Sequence, residues 1–314
     1  FSRALINGGI TTLQILPGSA NLFGGRSVTL KNVPARTMQG MKFPGAPYGL
    51  KMACGENPKR NYGGKGGPGT RMGNIAVARA AWIKAQAYKR KWDKYDRVGG
   101  DMPERDLAME TLRGVLAGQI LVHNHCYRAD EMALMIDMSH EFGYKISAFH
   151  HAVESYKIAD LLKANGVCSA MWADWYGFKM EAYDGIQENI PLVHNAGACT
   201  IVHSDDANGI QRLYQEAAKA LANGRRMGIA ISDEVAWTWL SFNPAKALGI
   251  GDRTGSLKPG KMADVVLWNG HPFSVYTRPE RVWIDGALLY DANDPKRRPV
   301  SDFELGQPGE GDVK

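Results

Sequence analysis

The sequence lacks any apolar run close to the roughly 20 residues that a membrane-spanning helix needs, so we expect no membrane partner. Cysteine is also scarce. Cys54, Cys126, Cys168 and Cys199 form no C-x-x-C pair and indicate neither a disulfide framework nor a structural zinc knuckle. We therefore expect reduced cysteines and, by default, a cytoplasmic location. Export stays open, because a chain that begins at Phe1 could have lost a signal peptide.

A large excess of one charge is missing as well. The 38 Lys and Arg residues face 32 Asp and Glu residues, which gives a formal net charge of +6. Basic residues concentrate between positions 84 and 97, but Asp93 and Asp96 interleave with them, as on a solvated helix face. No nucleic-acid motif accompanies them, so we expect no nucleic-acid partner. The hydrophobic content of 44% is typical of a globular protein, here one large domain with a small satellite.

Strands and helices alternate clearly between residues 119 and 224. Amphipathic stretches predict helices, each followed by a glycine that would end it, at 129–142, 155–164 and 210–222. Short, continuously apolar runs predict buried strands at 119–122, 145–149, 167–172 and 200–202. Repeated strand–helix units of this kind predict an α/β fold with a parallel sheet.

The pattern upstream is looser. Residues 9–15 and 48–53 read as strands, and a helix is predicted from about residue 74 to residue 92. Glycine and proline dominate 18–47 and 57–73, so we expect both segments to be loops over the strand ends. The second loop contains Gly, Lys and Thr, but not in the order of a phosphate-binding loop, and we interpret it as a mobile lid.

Three blocks follow one another near the end of the chain: NPAKALG at 243–249, TGSLKPGKMADVVLW at 254–268 and VWIDG at 282–286. This succession resembles the closing segment of metal-dependent amidohydrolases, most closely the imidazolonepropionase-like branch. The resemblance implies a TIM-type (β/α)8 barrel over residues 1–248. It also implies a small C-terminal β-sandwich segment with a tail over residues 249–314.

Counting back from that segment, the clear strands are strands five to eight of the barrel, and Lys51 lies on the fourth. The first strand of the family, with its His-x-His metal motif, would then precede Phe1. We therefore expect a barrel that is incomplete at its N-terminus. Unpaired strand edges promote association, so a homo-oligomer is expected.

Histidine or aspartate ends three of the predicted strands, at His125, at the pair His150 and His151, and at Asp205. All strand ends of a parallel barrel meet at one face, and zinc prefers imidazole and carboxylate ligands. The resemblance implies metal ligands at His125, at one of the pair and at Asp205. Successive strand residues point in opposite directions, so only one of the pair should face the barrel axis, and we favour His151.

Two further residues leave alternatives open. The resemblance implies that Lys51 is carboxylated on its amine and bridges two metals. The alternative is a lysine that reaches solvent or pairs with Glu56. His123 and His125 match the His-x-His motif of the first strand. Only 80 residues separate His125 from Asp205, however, which is too few for the strand–helix units between the first and eighth strands of a barrel, so we reject that assignment. A local metal site that uses both histidines stays open.

These residues predict hydrolysis of an amide or cyclic amide C–N bond in a small, non-polymeric substrate. The cofactor would be one or two Zn²⁺ ions, or another divalent metal, which supply activated water. Asp205 would move the proton from water to the leaving nitrogen, and His151 would hold a second metal or donate to the oxyanion. The candidate substrate-binding residues are Arg71, Arg128, His150 and Trp172. The alternative function is a non-catalytic, truncated barrel that binds a small molecule.

Overall fold

The computed structural model of this chain describes residues 1–297. A large sheet contains β1 Thr12–Ile15, β2 Phe23–Lys31, β3 Tyr48–Ala53, β4 Ile120–His125, β5 Ile146–His150, β6 Cys168–Met171 and β7 Cys199–Val202. A small sheet contains β8 Val265–Trp268, β9 Pro279–Ile284 and β10 Ala287–Asp291. The α-helices are α1 Ser2–Gly8, α2 Met38–Met41, α3 Glu56–Tyr62, α4 Arg71–Val98, α5 Leu107–Leu116, α6 Ala129–Phe142, α7 Ala159–Ala164, α8 Asn189–Asn195, α9 Leu213–Arg226, α10 Asp233–Trp237 and α11 Phe242–Ala247.

The large sheet has the order β1-β2-β3-β4-β5-β6-β7. Strands β3 to β7 are parallel, and all lie side by side in chain order, as in a TIM-type barrel. Strand β2 runs antiparallel to both β1 and β3. Among residues 1–297, β1 and β7 each pair on one side only, so the sheet curls without closing. The predicted α/β class and barrel type are confirmed.

Helices cover the outer face of this sheet. In α4, Ala78, Trp82 and Ala85 recur at helical spacing and are fully buried against the strands. The Trp82 ring stacks on Tyr144, with 4.3 Å between ring centroids. Because the helices occupy the outer face, side chains of alternate strand residues are left to fill the inner face, where the polar residues lie.

Several predicted boundaries differ from the structure. Residues 18–47 contain the nine-residue strand β2, and 57–73 contain most of α3, so neither segment is only a loop. Helix α9 continues through Gly224 to Arg226. Gly224 serves close packing instead of helix termination, because a Cβ there would lie 2.8 Å from Cβ of Pro191.

The four cysteines form two disulfides, Cys54–Cys126 and Cys168–Cys199, so the expectation of reduced cysteines is wrong for this structure. Strand register explains both pairs. Cys168 lies opposite Cys199 in the β6–β7 pairing, and Cys54 and Cys126 directly follow opposed residues of β3 and β4. The partners are 31 and 72 residues apart in sequence, so cysteine spacing alone gave no sign of them.

The small antiparallel sheet has the order β10-β9-β8 and packs Val282, Ile284 and Tyr290 against Leu5 of α1. It is tied to the large sheet by Lys31 of β2, whose Nζ lies 3.2 Å from Asp264 Oδ1 and also contacts Asp285. The predicted boundary at residue 249 stays a prediction, and the end of the predicted tail, residues 298–314, lies outside the described residues.

A mainly apolar cavity of about 630 Å³ lies between the start of β1 and the small sheet. Its wall includes the rings of Trp237, Trp268 and Phe273. As for membranes, none of the helices in the described part of the chain combines the length and apolar character needed to cross a bilayer.

Candidate active site

Five histidines meet at the carboxyl ends of β4, β5 and β7: His123, His125, His150, His151 and His203. The parallel register brings them there, because His125 of β4 lies opposite His150 of β5. His123 precedes His125 by two residues and therefore faces the same, inner side of the sheet. Nδ1 of His123 is 3.0 Å from Nε2 of His150. The ring centroid of His151 is 4.8 Å from those of both His125 and His203.

Burial keeps these imidazoles uncharged. Desolvation lowers the pKa of all five, to about 3 for His123 and His203, and the nearby positive charge of Lys51 acts in the same direction. Neutral imidazole nitrogens can bind metal ions or accept protons. In the described residues, four buried imidazole nitrogens have no hydrogen-bond partner: His123 Nε2, His125 Nδ1, His151 Nδ1 and His203 Nε2.

Both His150 and His151 belong to this cluster. His150 continues the extended strand, whereas His151 takes a left-handed backbone conformation with φ of 59°. That turn rotates the second ring back toward the site, so the strict alternation expected from a strand does not hold at this end. Left-handed non-glycine residues store strain and concentrate at functional sites.

Asp205 shows the same backbone feature, with φ of 55°. Its Oδ2 lies 3.5 Å from Nε2 of His151, although 57% of the Asp205 side-chain surface stays open to solvent. Desolvation raises the pKa of the Asp205 carboxyl, and the charge of Lys51 opposes that rise. The carboxylate therefore lies where the buried histidines meet solvent, within reach of one of them.

Lys51 lies on β3 opposite His123 and is only 3% exposed. Burial lowers the pKa of its amine, while Asp205 partly offsets the effect. Nζ donates a hydrogen bond to the carbonyl oxygen of Pro17 at 3.3 Å. Glu56, the alternative partner considered above, forms an ion pair with Lys179 at 3.4 Å.

The two candidate substrate-binding arginines have carboxylate partners. Arg71 pairs with Glu131 at 3.2 Å and with Glu181 at 3.0 Å. Arg128, which precedes α6, makes a bidentate contact with Asp130: Nε donates to Oδ1 at 3.0 Å and Nη2 donates to Oδ2 at 3.1 Å. In the described part of the chain, neither guanidinium forms a hydrogen bond with a histidine of the cluster. The role of both arginines in substrate binding stays a prediction.

Trp172 follows β6 and lies directly against the histidines. Its ring stacks on His151 and on His203, with centroid distances of 4.9 and 5.3 Å. Its Nε1 donates to the carbonyl oxygen of Ser204 at 2.8 Å, which fixes the ring beside the end of β7. The structure thus brings His125, His150, His151, Trp172 and Asp205 together.

Three residues of this site were missed by the sequence analysis. The Asn57 amide lies 3.2 Å from Nε2 of His125, and Lys179 donates to Oδ1 of the same Asn57 at 3.2 Å. The ring of Tyr127 is 4.7 Å from that of His125. Tyr127 could have been found, because it lies two residues beyond His125. Asn57 and Lys179 lie outside the strands, where no periodic signal exists.

The donor set fits a divalent metal in chemistry. Neutral imidazoles with unpartnered nitrogens, a carboxylate and a buried lysine are the ligand types of zinc sites and of carboxylated-lysine sites. Within residues 1–297, however, no three His, Cys, Asp or Glu side chains are grouped closely enough to hold one ion. The described residues therefore supply suitable ligands but not a complete set around one point.

Comparison with known proteins gives the family. The model of the amidohydrolase family matches residues 3–289, nearly the whole described chain. The chain belongs to the amidohydrolase family. The family predicted from the C-terminal blocks is thereby confirmed, whereas the imidazolonepropionase-like branch stays a prediction.

Two relatives of this amidohydrolase resemble almost all of the chain. The amidohydrolase tasK of Hapsidospora irregularis is 34% identical over 312 residues, 92% of this chain but only 31% of that protein. The chain thus spans about a third of the length of this curated relative. The crystal structure of an amidohydrolase from Thermotoga maritima MSB8 superposes with a TM-score of 0.84 at 35% identity, covering 92% of this chain and 74% of that one.

A much shorter match links 28 residues to the urease subunit alpha of Haloquadratum walsbyi. These residues are 64% identical, but they amount to 9% of this chain and 5% of that protein.

Proposed function

We propose that this amidohydrolase hydrolyses a C–N bond, of an amide or a cyclic amide, in a small non-polymeric substrate, using water activated by one or two divalent metal ions, zinc first among them. Family membership supports a hydrolase of this kind. The observation that carries the proposal is the contact of His151 with Asp205 beside neutral imidazoles, four of which each have one ring nitrogen without a hydrogen-bond partner among residues 1–297.

The residues that would hold the metal are His125, His151, Asp205 and Lys51, the last as a carbamate on its amine. Carbamate formation requires a neutral amine, and the lowered pKa of buried Lys51 favours that form. A bound metal would lower the pKa of its water to near 7 and polarise the substrate carbonyl.

The proton transfers belong to Asp205 in this proposal. Its carboxylate, open to solvent on one side and facing His151 on the other, accepts a proton from the attacking water and returns it to the leaving nitrogen. His151, neutral and fixed by stacking on Trp172, donates to the developing oxyanion when it does not hold a metal. Trp172 and His150 would contribute to the surface that contacts the substrate.

Replacement of Asp205 by Asn tests this assignment. Asp205→Asn keeps the size of the side chain but removes the proton acceptor, so kcat should fall by about 10²- to 10⁴-fold. Asp206→Asn is the matched control, because Asp206 is the adjacent carboxylate and bonds backbone amides of its own turn. Equal turnover by both variants would show that Asp205 is not the base.

Metal content can be measured without a substrate. Elemental analysis of the purified chain should find about one or two metals per chain, in keeping with a mono- or binuclear site. The double variant His125→Ala/His151→Ala should lose them. His140→Ala is the control, since His140 is exposed and bonds Asn165 on the outer surface. Unchanged metal content in the double variant would remove these residues from the ligand set.

The second candidate function is a binding protein without turnover. One observation favours it, namely that no three-ligand group exists among residues 1–297. A chain that binds no metal at neutral pH yet still binds a small molecule would support this alternative over hydrolysis.

A further inference from the structure

Four aromatic rings form a continuous cluster beside His151, which we call the aromatic wall: Tyr127, Trp172, Trp175 and Phe178. Tyr127 follows β4, and the other three follow β6. Trp172 is 4.8 Å from Trp175 and 5.9 Å from Phe178, measured between ring centroids. Tyr127 lies 6.1 Å from Trp172 and 6.2 Å from Phe178. These distances are within the range of favourable ring contacts.

The outer half of this wall is open. Trp175 is 50% exposed and Phe178 is 48% exposed, whereas Tyr127 is buried. The same segment also contains Met180, whose side chain is 81% exposed. Contiguous exposed apolar groups at the rim of a polar site are unfavourable in water and mark binding surfaces more often than chance.

The wall is held in place by buried charge. Lys179 lies 4.1 Å above the Tyr127 ring and 3.0 Å from Glu181. The nearly inaccessible carboxylate of Glu181 also accepts from the backbone amide of Glu56 at 2.9 Å and from Arg71 at 3.0 Å. Segment 172–183 is thereby fixed to α3 and α4, and its rings are preorganised for binding, which lowers the entropy cost of taking up a ligand.

We propose that the aromatic wall is the substrate subsite for a flat apolar group, about the size of a phenyl ring, next to the scissile C–N bond. This inference rests on the proposed function. Trp172 lies nearly parallel to both His151 and His203, at 26° and 18° between ring planes, so the wall presents planar faces that lead from the histidines to solvent.

The charges around the wall argue against an anionic group at this subsite. Arg71, Arg128 and Lys179 all have carboxylate partners already, so a substrate anion would have to displace one of them. A planar apolar group needs no such displacement. It gains contact with the half-exposed rings and removes their apolar surface from water.

Two pairs of amides test the subsite, one for each side of the scissile bond: benzamide against acetamide, and acetanilide against N-methylacetamide. The readout is the ratio of kcat/KM within a pair. Trp175→Ala and Phe178→Ala should each lower the phenyl-to-methyl ratio of one pair by about tenfold, the effect of one ring contact. Comparing variants with the unaltered chain cancels the intrinsic reactivity of the amides.

Controls separate the wall from general effects on folding. Tyr183→Ala removes an exposed aromatic ring of the same segment that is not one of the four wall residues, and it should leave both ratios unchanged. Trp175→Phe keeps a ring in place and should restore most of the ratio lost in Trp175→Ala. A ratio that is unaffected by Trp175→Ala and Phe178→Ala, while turnover persists, would overturn the subsite and leave the hydrolase proposal standing.

Binding of benzyl alcohol, which has no C–N bond, gives a readout independent of turnover. Saturation-transfer NMR should show its ring bound to the unaltered chain and to Tyr183→Ala, but not to Trp175→Ala. Binding without turnover of any amide would support the subsite while the hydrolase proposal fails. Absence of binding, with self-association that disappears in Trp175→Ala, would overturn the subsite and assign the wall to contact between copies.

Discussion

The histidine cluster makes single residues responsive to acid. His123 and His203 have a folded-state pKa of about 3, against about 6.5 for a histidine in an unfolded chain. Between these two pKa values, the unfolded chain binds protons at these histidines and the folded chain does not. The stabilisation is fully present above pH 6.5 and is lost progressively as the pH falls toward 3. The close pair His123 and His150 adds to this, because two imidazolium ions could not share a 3.0 Å contact.

From this we expect acid lability well before carboxylates titrate. Between pH 7.5 and pH 5.5, His203 alone should lower the free energy of unfolding by about 1 kcal/mol. Urea unfolding of the metal-stripped chain at both pH values measures the loss. His203→Gln should reduce it, whereas His140→Gln, which changes an exposed histidine, should not. The same loss in all three proteins would mean that His203 is not neutral in the fold.

At the scale of elements, the disulfides join neighbouring strands in two places. Cys54–Cys126 links the ends of β3 and β4 at the candidate site, and Cys168–Cys199 links the opposite ends of β6 and β7. Both pairs are largely buried. Disulfides form and persist in oxidising surroundings, and the compartment of this chain, cytoplasmic or exported, stays a prediction.

Thiol titration of the denatured, unreduced chain should therefore detect no free thiol among the four cysteines. Loss of the 72-residue loop closure in Cys54→Ala/Cys126→Ala should cost about 4 kcal/mol of unfolding free energy, and loss of the 31-residue closure in Cys168→Ala/Cys199→Ala slightly less. Chemical unfolding with and without reductant provides the comparison. Variants as stable as the oxidised chain would contradict a structural role.

Local signals account for the elements that the sequence predicted well. Helix α6 and strand β3 begin and end at the predicted residues, since a glycine with φ of 74° ends the helix and a short apolar run defines the strand. Strand β2 was missed because its FGGRSVTLK segment alternates poorly and pairs antiparallel with strands on both sides. Such pairings are set by the whole sheet.

In the candidate site, too, some residues could be predicted from local sequence signals and others could not. His125, His150, His151 and Asp205 could be proposed from the sequence because strand ends are visible in sequence and converge in any parallel barrel. The joint placement of His150 and His151 could not be, since it depends on one left-handed residue. Contacts such as Glu181 with Arg71, 110 residues apart, likewise follow only from the folded chain.

At the scale of the whole molecule, the large sheet has open edges within residues 1–297. In the described residues β1 and β7 pair on one side, and Ile15 at the end of β1 is 41% exposed. Exposed strand edges with apolar side chains promote association between copies.

A homo-oligomer is accordingly expected, and its fraction in sedimentation-velocity experiments should increase with protein concentration. Ile15→Lys places a charge on the open edge and should shift the chain toward monomer. Leu134→Lys, on the outer surface of α6 and similarly exposed, should leave the distribution unchanged. A monomer at all concentrations, or equal effects of both variants, would rule out the β1 edge as the contact.

The left-handed backbone at His151 and Asp205 should influence which sequence variants are selected for stability and which for turnover. Each such non-glycine residue costs of order 1–3 kcal/mol, which glycine would largely relieve. At position 151 glycine would also leave a cavity in the buried histidine cluster, so a library sorted for heat resistance alone should enrich glycine only at the half-exposed position 205, whereas one sorted for turnover should retain aspartate there. Stability and function would thus select different residues at position 205.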